Sequence, residues 1–376
     1  MKVLHIAGGF AQHPLYSQLI RHLHAIGHHQ TIFAPVRSTA ELSRQPPDEV
    51  DTLEYKFRHI LKPVHRILFR TKIRTIYREL VECVDPAQFD LVHAHTLFSD
   101  GAAALRLHQR FDIPYVVAVR NTDLNFFMRF RPDLRRILRS VLSGASRVVF
   151  LSPAYRRAFL LRLQPDLREI VEEKSIVLGN GINSFWLEDH PTPVRDSSTP
   201  LRVLYVGEFS QNKNVDSILH ATAALEKRVP VQLTLVGDGG RTENRIRTAI
   251  DNGKYPFAKF LGRVHNRGEL RSIYRDHDIF VMPSFRETFG VVYIEALSQG
   301  LPIVHSRGQG VDGFFPPGTV SEAVDPYSVE SIAAGIESVA ARLEQVRPVC
   351  TSTAREFSWE AIALQYEELY RIISDR

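Results

Sequence analysis

The strongest constraint on this chain is a rhythm that runs along it twice. Short apolar runs alternate with amphipathic stretches from the first residues, and the alternation starts afresh midway. The runs at 3–7, 31–34, 91–94, 115–119, 148–151 and 175–178 read as strands, as do those at 203–206, 232–236, 259–261, 279–282 and 303–304. Short apolar strands separated by helical patterns point to parallel sheets covered by helices on both faces. Between the halves, Glu188-Asp-His-Pro-Thr-Pro-Val-Arg-Asp-Ser-Ser-Thr-Pro200 is polar and proline-rich, the composition of a linker. Leu201-Arg-Val-Leu-Tyr-Val-Gly207 then restarts as a first strand and glycine turn. The expected organisation is α/β: a doubly wound domain over 1–190, a linker at 191–200, a second doubly wound domain over 201–355, and a final segment, 356–376. In that segment a Ser358 cap opens a helix with Trp359, Ile362, Tyr366, Leu369 and Ile373 on one face.

The chain has 376 residues, enough for two domains, and 44% hydrophobic with 24% charged residues is a soluble globular composition. Cys83 and Cys350 are far apart and match no metal spacing; their scarcity fits a reducing compartment. The N-terminus runs straight into a strand, so no signal peptide is expected, and no apolar run is long enough to span a bilayer. A net charge of +5 permits an acidic partner without naming one. A cytoplasmic location is expected, with peripheral attachment to the inner face of the plasma membrane as an extension of it.

The most informative local pattern is Ser284-Phe-Arg-Glu-Thr-Phe-Gly-Val-Val-Tyr-Ile-Glu-Ala-Leu-Ser-Gln-Gly300. A buried strand at 279–282 leads into a loop, and a helix starts near Phe289-Gly290 and stops at Gly300, a good terminating residue. The free amides of such a helix start, here around Phe289, Gly290 and Val291, hold phosphate well. Glu287 precedes that anion site, and Glu295 lies about 8 Å along the helix axis, at about 1.5 Å per residue. Two carboxylates flanking a diphosphate site can grip the sugars at both ends of a nucleotide-sugar. Without the surrounding residues, the same pair reads as a loop carboxylate and a solvated helix glutamate.

This segment resembles the E-x7-E signature of the retaining GT-B glycosyltransferases, in particular the large family 4. The likeness covers most of the chain and is strongest from Leu201 to Asp325; Gly308-Gln-Gly-Val-Asp-Gly313 is similar to a subgroup that builds bacterial surface polysaccharides. The resemblance implies a GT-B fold, two Rossmann-like domains facing a central cleft, with the last helix crossing back to the N-terminal domain. It implies an acceptor-binding N-terminal domain and a nucleotide-sugar-binding C-terminal domain. Glu295 would hold ribose hydroxyls, and Glu287 would hold sugar hydroxyls and stabilise charge at the anomeric carbon. Lys213, in the loop after Gly207, matches the family's diphosphate-binding lysine; alone it would also pass as a solvated loop lysine. Glu208 stands where the family places an arginine. Arg263 lies in a segment similar to the one lining the base. Gly8 and Gly9 match the glycine loop beside phosphates and acceptor. His95 ends a strand near the cleft. Ala118-Val-Arg-Asn-Thr-Asp123 resembles T-x-H-G-x-D, with Arg120 at the histidine position and Asp123 kept; Arg120 is expected to touch a phosphate or sugar hydroxyl.

The implied activity is a retaining, metal-independent hexosyltransferase. It uses a nucleotide-sugar as substrate, no cofactor, and a glycan or lipid-linked sugar as acceptor in polysaccharide biosynthesis. A nucleotide-sugar epimerase on the same architecture, told apart by donor turnover without acceptor, and a non-catalytic sugar-nucleotide-binding protein, told apart by tight binding without transfer, remain alternatives. Tyr55–Arg78 carries eight Lys or Arg and no acid, with Leu61, Val64, Ile67 and Leu68 at helical spacing. It is expected to form a basic helix on an anionic membrane surface, or else a packed helix with a solvated face. A second basic stretch follows at 128–139. No nucleic-acid-binding module is present and no nucleic-acid partner is expected.

Overall fold

The structure, a computed structural model, describes residues 1–44, 52–188 and 200–374, so of the expected linker 191–200 only Pro200 is placed. Two wholly parallel sheets form. The first contains β1 (Lys2–Ile6), β2 (His29–Val36), β3 (Leu53–His59), β4 (Leu91–Ala94), β5 (Tyr115–Val119), β6 (Arg147–Phe150) and β7 (Ser175–Val177), in the order β3-β2-β1-β4-β5-β6-β7. The second contains β8 (Leu201–Val206), β9 (Val231–Val236), β10 (Ala258–Gly262), β11 (Ile279–Met282), β12 (Ile303–Ser306) and β13 (Ser321–Val324), in the order β10-β9-β8-β11-β12-β13. In each sheet the chain builds outward on one side of the first strand, then returns and builds outward on the other. The reversal falls between β1 and β4 in one sheet and between β8 and β11 in the other. Open parallel sheets bind ligands in the crevice that such a reversal opens at the carboxyl ends of the strands.

Two strands are absent from the sequence reading. In β3, Leu53, Tyr55 and Phe57 are buried while Glu54, Lys56 and Arg58 face outward. That is a period of two at a sheet edge, where charges discourage further pairing. The reading of Tyr55–Arg78 as one basic helix is therefore corrected. The segment is an edge strand to His59, a short 3₁₀ turn Pro63–Arg66, and a helix only from Phe69 to Cys83. Pro63 lacks a backbone donor and clashes with a preceding helical turn, so a continuous helix is excluded there. The supposed stripe splits accordingly: Leu61 is buried, whereas Ile67 and Leu68 are 77% and 51% exposed. The other missed strand, β13, is short, offers only Ala323 and Val324 as apolar residues, and pairs with β12 alone.

The chain forms two compact units. One comprises Met1–Leu151, Arg156–Gly181 and Trp359–Arg376; the other comprises Ser152–Tyr155 and Ile182–Ser358. In the first unit the helix Trp359–Ser374 packs Trp359, Ile362, Tyr366, Leu369, Tyr370 and Ile373 against Val3, Leu19, Leu23 and Leu91. At roughly 2 kcal/mol per large apolar side chain, that face contributes on the order of 10 kcal/mol, similar to a domain's whole net stability. The helix is thus an integral part of this unit's core.

Under the same helix lies a histidine cluster that sequence spacing does not announce, because it joins two strands. His5 and His93 are register partners on β1 and β4, and His95 follows two residues on, hence on the same face. All three are buried. His5 Nδ1 and His95 Nε2 lie 3.0 Å apart in hydrogen-bond contact, and the Tyr370 hydroxyl meets His93 Nδ1 at 2.6 Å. Each ring offers one nitrogen within 4.8 Å of the others. Burial pushes all three rings below their ordinary range, His5 to about 3. The unfolded rings titrate near 6.5, so below that pH the unfolded chain takes up protons that the folded one refuses. Stability should therefore fall as pH drops from about 6.5. Urea melts from pH 7.5 to 5 should show this fall, and His5→Gln should flatten it by up to about 1.4 kcal/mol per pH unit. An unchanged slope would contradict the account of the cluster.

Candidate active site

β8 and β11 end side by side at the reversal of the second sheet. After β8 the chain turns through Gly207 into the 3₁₀ turn Gln211–Lys213, and Asn214, at φ +58°, turns it into the helix Val215–Glu226. Asparagine tolerates this left-handed conformation. Its side-chain amide donates to the Pro283 and Pro326 carbonyls at 3.1 and 2.7 Å. The loop after β11 is tied to the same turn: the Phe285 amide donates to the Asn212 carbonyl at 2.9 Å, and Asn212 Nδ2 donates to the Arg286 carbonyl at 2.8 Å. These bonds bring Lys213 Nζ to 2.7 Å from Glu287 Oε2, with the side chains only 23% and 15% exposed.

Glu287 is held on every side. Its Oε1 accepts the Thr288 amide at 3.0 Å, its own amide donates to Gln309 Oε1 at 3.1 Å, and its carbonyl accepts the Gly310 amide at 2.9 Å. Gly310 has φ +54°, and a Cβ there would press on Glu287 Cγ at 3.0 Å. The helix Val291–Ser298 begins immediately after, with Gly290 at φ +81° as its cap. A Cβ on Gly290 would strike the Tyr293 ring at 2.5 Å, so only glycine fits. The Tyr293 amide bonds the Gly290 carbonyl. The amides of Val291 and Val292, in the first turn, have no intrahelical acceptor, the arrangement that favours an anion. The Phe289 side chain is buried among Phe314 and Phe357, which leaves only its main chain for a ligand.

Glu295 follows one turn along this helix. Burial pushes its carboxyl up to about 7, opposed by Arg267 and the neighbouring Tyr274. Tyr274, beside it, is itself fully buried. Because the folded carboxyl holds its proton more tightly than the unfolded one, stability is lost as pH rises from about 4.5 through 7. Glu295→Gln should therefore raise the melting temperature at pH 8 and leave it nearly unchanged at pH 5. Equal shifts at both pH values would contradict the burial argument.

The remaining expected residues fall elsewhere. Gly207 lies at the exit of β8, where its amide donates to the Val236 carbonyl. Glu208 is exposed and brings no cation to Lys213. Arg263 follows the outer strand β10 and pairs with Asp238 at 3.5 Å on the surface, so the structure does not join it to the Lys213–Glu287 pair. Gly8, Gly9, His95, Arg120 and Asp123 belong to the first unit and gather at its own strand reversal. The Gly8 amide donates to Asp100 Oδ2 at 3.3 Å, and a Cβ on Gly9 would meet the Tyr16 ring at 3.3 Å. Asp123 Oδ2 accepts the Arg120 and Leu97 amides at 2.8 and 3.2 Å; Arg120 Nε donates to the His95 carbonyl at 3.2 Å, and the Arg120 guanidinium lies over the Tyr16 ring. Burial raises Asp100 to about 6 and Asp123 to about 7, and lowers Lys72, which donates to Ser99 Oγ at 2.6 Å, to about 8.

Asn212, Gln309, Asp100 and Lys72 were missed. Gln309 sits inside the glycine-rich run 308–313, which was singled out without a role for it. Lys72 lies three residues after buried Phe69 on an inward helix face, a placement that only the corrected helix boundary reveals.

Two family models match the chain. Glycosyltransferase Family 4 matches residues 15–184, and Glycosyl transferases group 1 matches residues 188–355. The seam between them lies beside Gly181–Ile182, where the chain enters the long stretch Ile182–Ser358 of the second compact unit. The two together assign the chain to the GT-B glycosyltransferases. A D-inositol 3-phosphate glycosyltransferase of Corynebacterium kroppenstedtii is 27% identical over 317 residues, 78% of this chain and 69% of that protein. Among solved structures, the lipopolysaccharide outer core galactosyltransferase WaaB superposes with a TM-score of 0.74 at 14% identity over 98% of both chains. HepE of Anabaena, solved with UDP-glucose, superposes with a TM-score of 0.65 at 17% identity over 99% of both. At such identities the likeness is one of fold. For this glycosyltransferase, the second unit is the one whose strand reversal carries the Lys213–Glu287 pair.

Proposed function

We propose that this glycosyltransferase is a retaining hexosyltransferase that moves a sugar from a nucleotide-sugar to a glycan or lipid-linked acceptor in polysaccharide biosynthesis. The observation that carries this reading is the Lys213–Glu287 pair beside the free amides of Val291 and Val292. A diphosphate brings more negative charge than one carboxylate, so it competes with Glu287 for Lys213. The lysine and the helix start then neutralise the leaving group, and Glu287, released, faces the sugar and the charge that develops at its anomeric carbon. Positive charge from the protein's own groups is the basis for proposing a metal-independent reaction. The acceptor oxygen bonds to the anomeric carbon as the bond to the diphosphate oxygen breaks, and the acceptor's proton passes to that departing phosphate. Glu295 is proposed to take the ribose hydroxyls. The first unit, with Arg120 and the Gly8–Gly9 loop, is proposed to serve the acceptor. HepE's UDP-glucose supports a nucleotide-sugar donor, and WaaB supports a surface-glycan acceptor.

Glu287→Gln keeps the size of the side chain and removes its charge. Turnover should fall by roughly two orders of magnitude or more with donor affinity mostly kept, while Lys213→Ala and Glu295→Ala should weaken nucleotide binding in calorimetry. Near-normal turnover in the first variant together with unchanged affinity in the other two would reject the site. A thermal-shift screen against UDP-, GDP- and ADP-sugars identifies the donor, since a ligand at a hundred times its dissociation constant adds roughly 2.7 kcal/mol.

A further inference from the structure

The first of the two basic stretches does not form the continuous helix its composition suggested, yet the structure places it beside the second. The guanidinium of Arg131 donates to the Arg66 carbonyl at 3.1 Å and to the Ile67 carbonyl at 3.5 Å, and lies over the Phe69 ring. Phe69 in turn packs on Phe127, with ring centroids 5.4 Å apart. The turn at 63–68 and the helical segment at 123–130 are thereby one continuous surface. Its outermost side chains are apolar: Ile67 is 77% exposed, Leu68 51%, Phe126 51% and Phe130 57%, and the Phe126 and Phe130 rings stand 5.8 Å apart. Arg66, Arg70 and Arg129 are exposed around them. Asp123, within the segment, is buried, and the exposed Asp133 is already paired with Arg131.

Exposed large apolar groups gathered on one patch mark an interaction site. The chemistry of this one is specific. Four apolar side chains at the tip and a collar of arginines with no unpaired acid among them match an anionic bilayer, in which the tips enter the interface and the guanidiniums meet phosphate headgroups. Nucleic acid would use the charge but leave Ile67 and Leu68 in water. We infer that this composite patch, Ile67–Leu68 with Phe126 and Phe130 inside an arginine collar, docks the first unit on an anionic membrane surface. The inference stands apart from the proposed sugar transfer, because lipid binding is measured without donor or acceptor.

The test uses the full chain and co-sedimentation with phosphatidylcholine vesicles, with and without about a third phosphatidylglycerol, the fraction chosen to reproduce the charge of an anionic leaflet. The protein should partition onto the anionic vesicles, less so as salt is raised. Ile67→Asp/Phe130→Asp should reduce partitioning by roughly tenfold or more, since each apolar tip contributes to insertion. Arg66→Glu/Arg70→Glu/Arg129→Glu should abolish the preference for anionic lipid. Phe130→Trp, a mild change that should preserve the fold, should report insertion as quenching by brominated lipid. The inference is overturned if the wild-type chain stays in solution, if the Asp variant partitions like wild type with an unchanged melting temperature, if the tryptophan is not quenched on anionic vesicles, or if the chain binds duplex or single-stranded DNA more tightly than anionic lipid.

Discussion

The ion pair between Lys213 and Glu287 is the interaction on which the candidate site depends. Two loops from neighbouring strand ends would otherwise diverge. Instead Asn212, Asn214 and Gln309 fasten their backbones together, and the pair closes across the gap at 2.7 Å. Half-buried, the pair holds opposite charges where neither is fully hydrated. Each is therefore ready to exchange its partner for a ligand group of the right sign, without a large rearrangement of the loops. The strict need for glycine at 290 follows from the same constraint: the chain must turn from the carboxylate into a helix start within a few residues.

The first unit carries a comparable concentration of buried chemistry at its own strand reversal. Asp100, Asp123, Lys72 and Arg120 lie where β1, β4 and β5 end, tied to the backbone by the Gly8, Leu97 and Arg120 amides. Burial raises the acids and lowers the lysine, so all three titrate nearer neutrality than free side chains do. Below this layer the neutral histidines and Tyr370 bind the sheet to the last helix.

The doubly wound plan was legible because its central strands are buried on both faces and read as unbroken apolar runs. The edges were not. β3 alternates polar and apolar residues beside a basic run, and its charges were assigned to a helix that Pro63 forbids; β13 has too few apolar residues to signal itself. At the site, Glu287, Glu295 and the helix start were legible from spacing, since the chain itself separates them. The partnership of Lys213 with Glu287 was not, because it spans 74 residues and is made by strand order. Asn212 and Gln309 act through backbone contacts that no local pattern encodes. The basic stretches were visible as composition, but the patch they share depends on Arg131 reaching the carbonyls of Arg66 and Ile67.

The central claim is that Lys213 and Glu287 exchange each other for the two ends of a donor. A crystal structure of the full chain with a bound nucleotide-sugar tests it most directly. The account predicts the diphosphate at the Val291–Val292 amides, Lys213 Nζ moved from Glu287 onto a phosphate oxygen, and the Glu287 carboxylate against the sugar. A diphosphate bound away from this helix start, with the Lys213–Glu287 pair still closed, would contradict it.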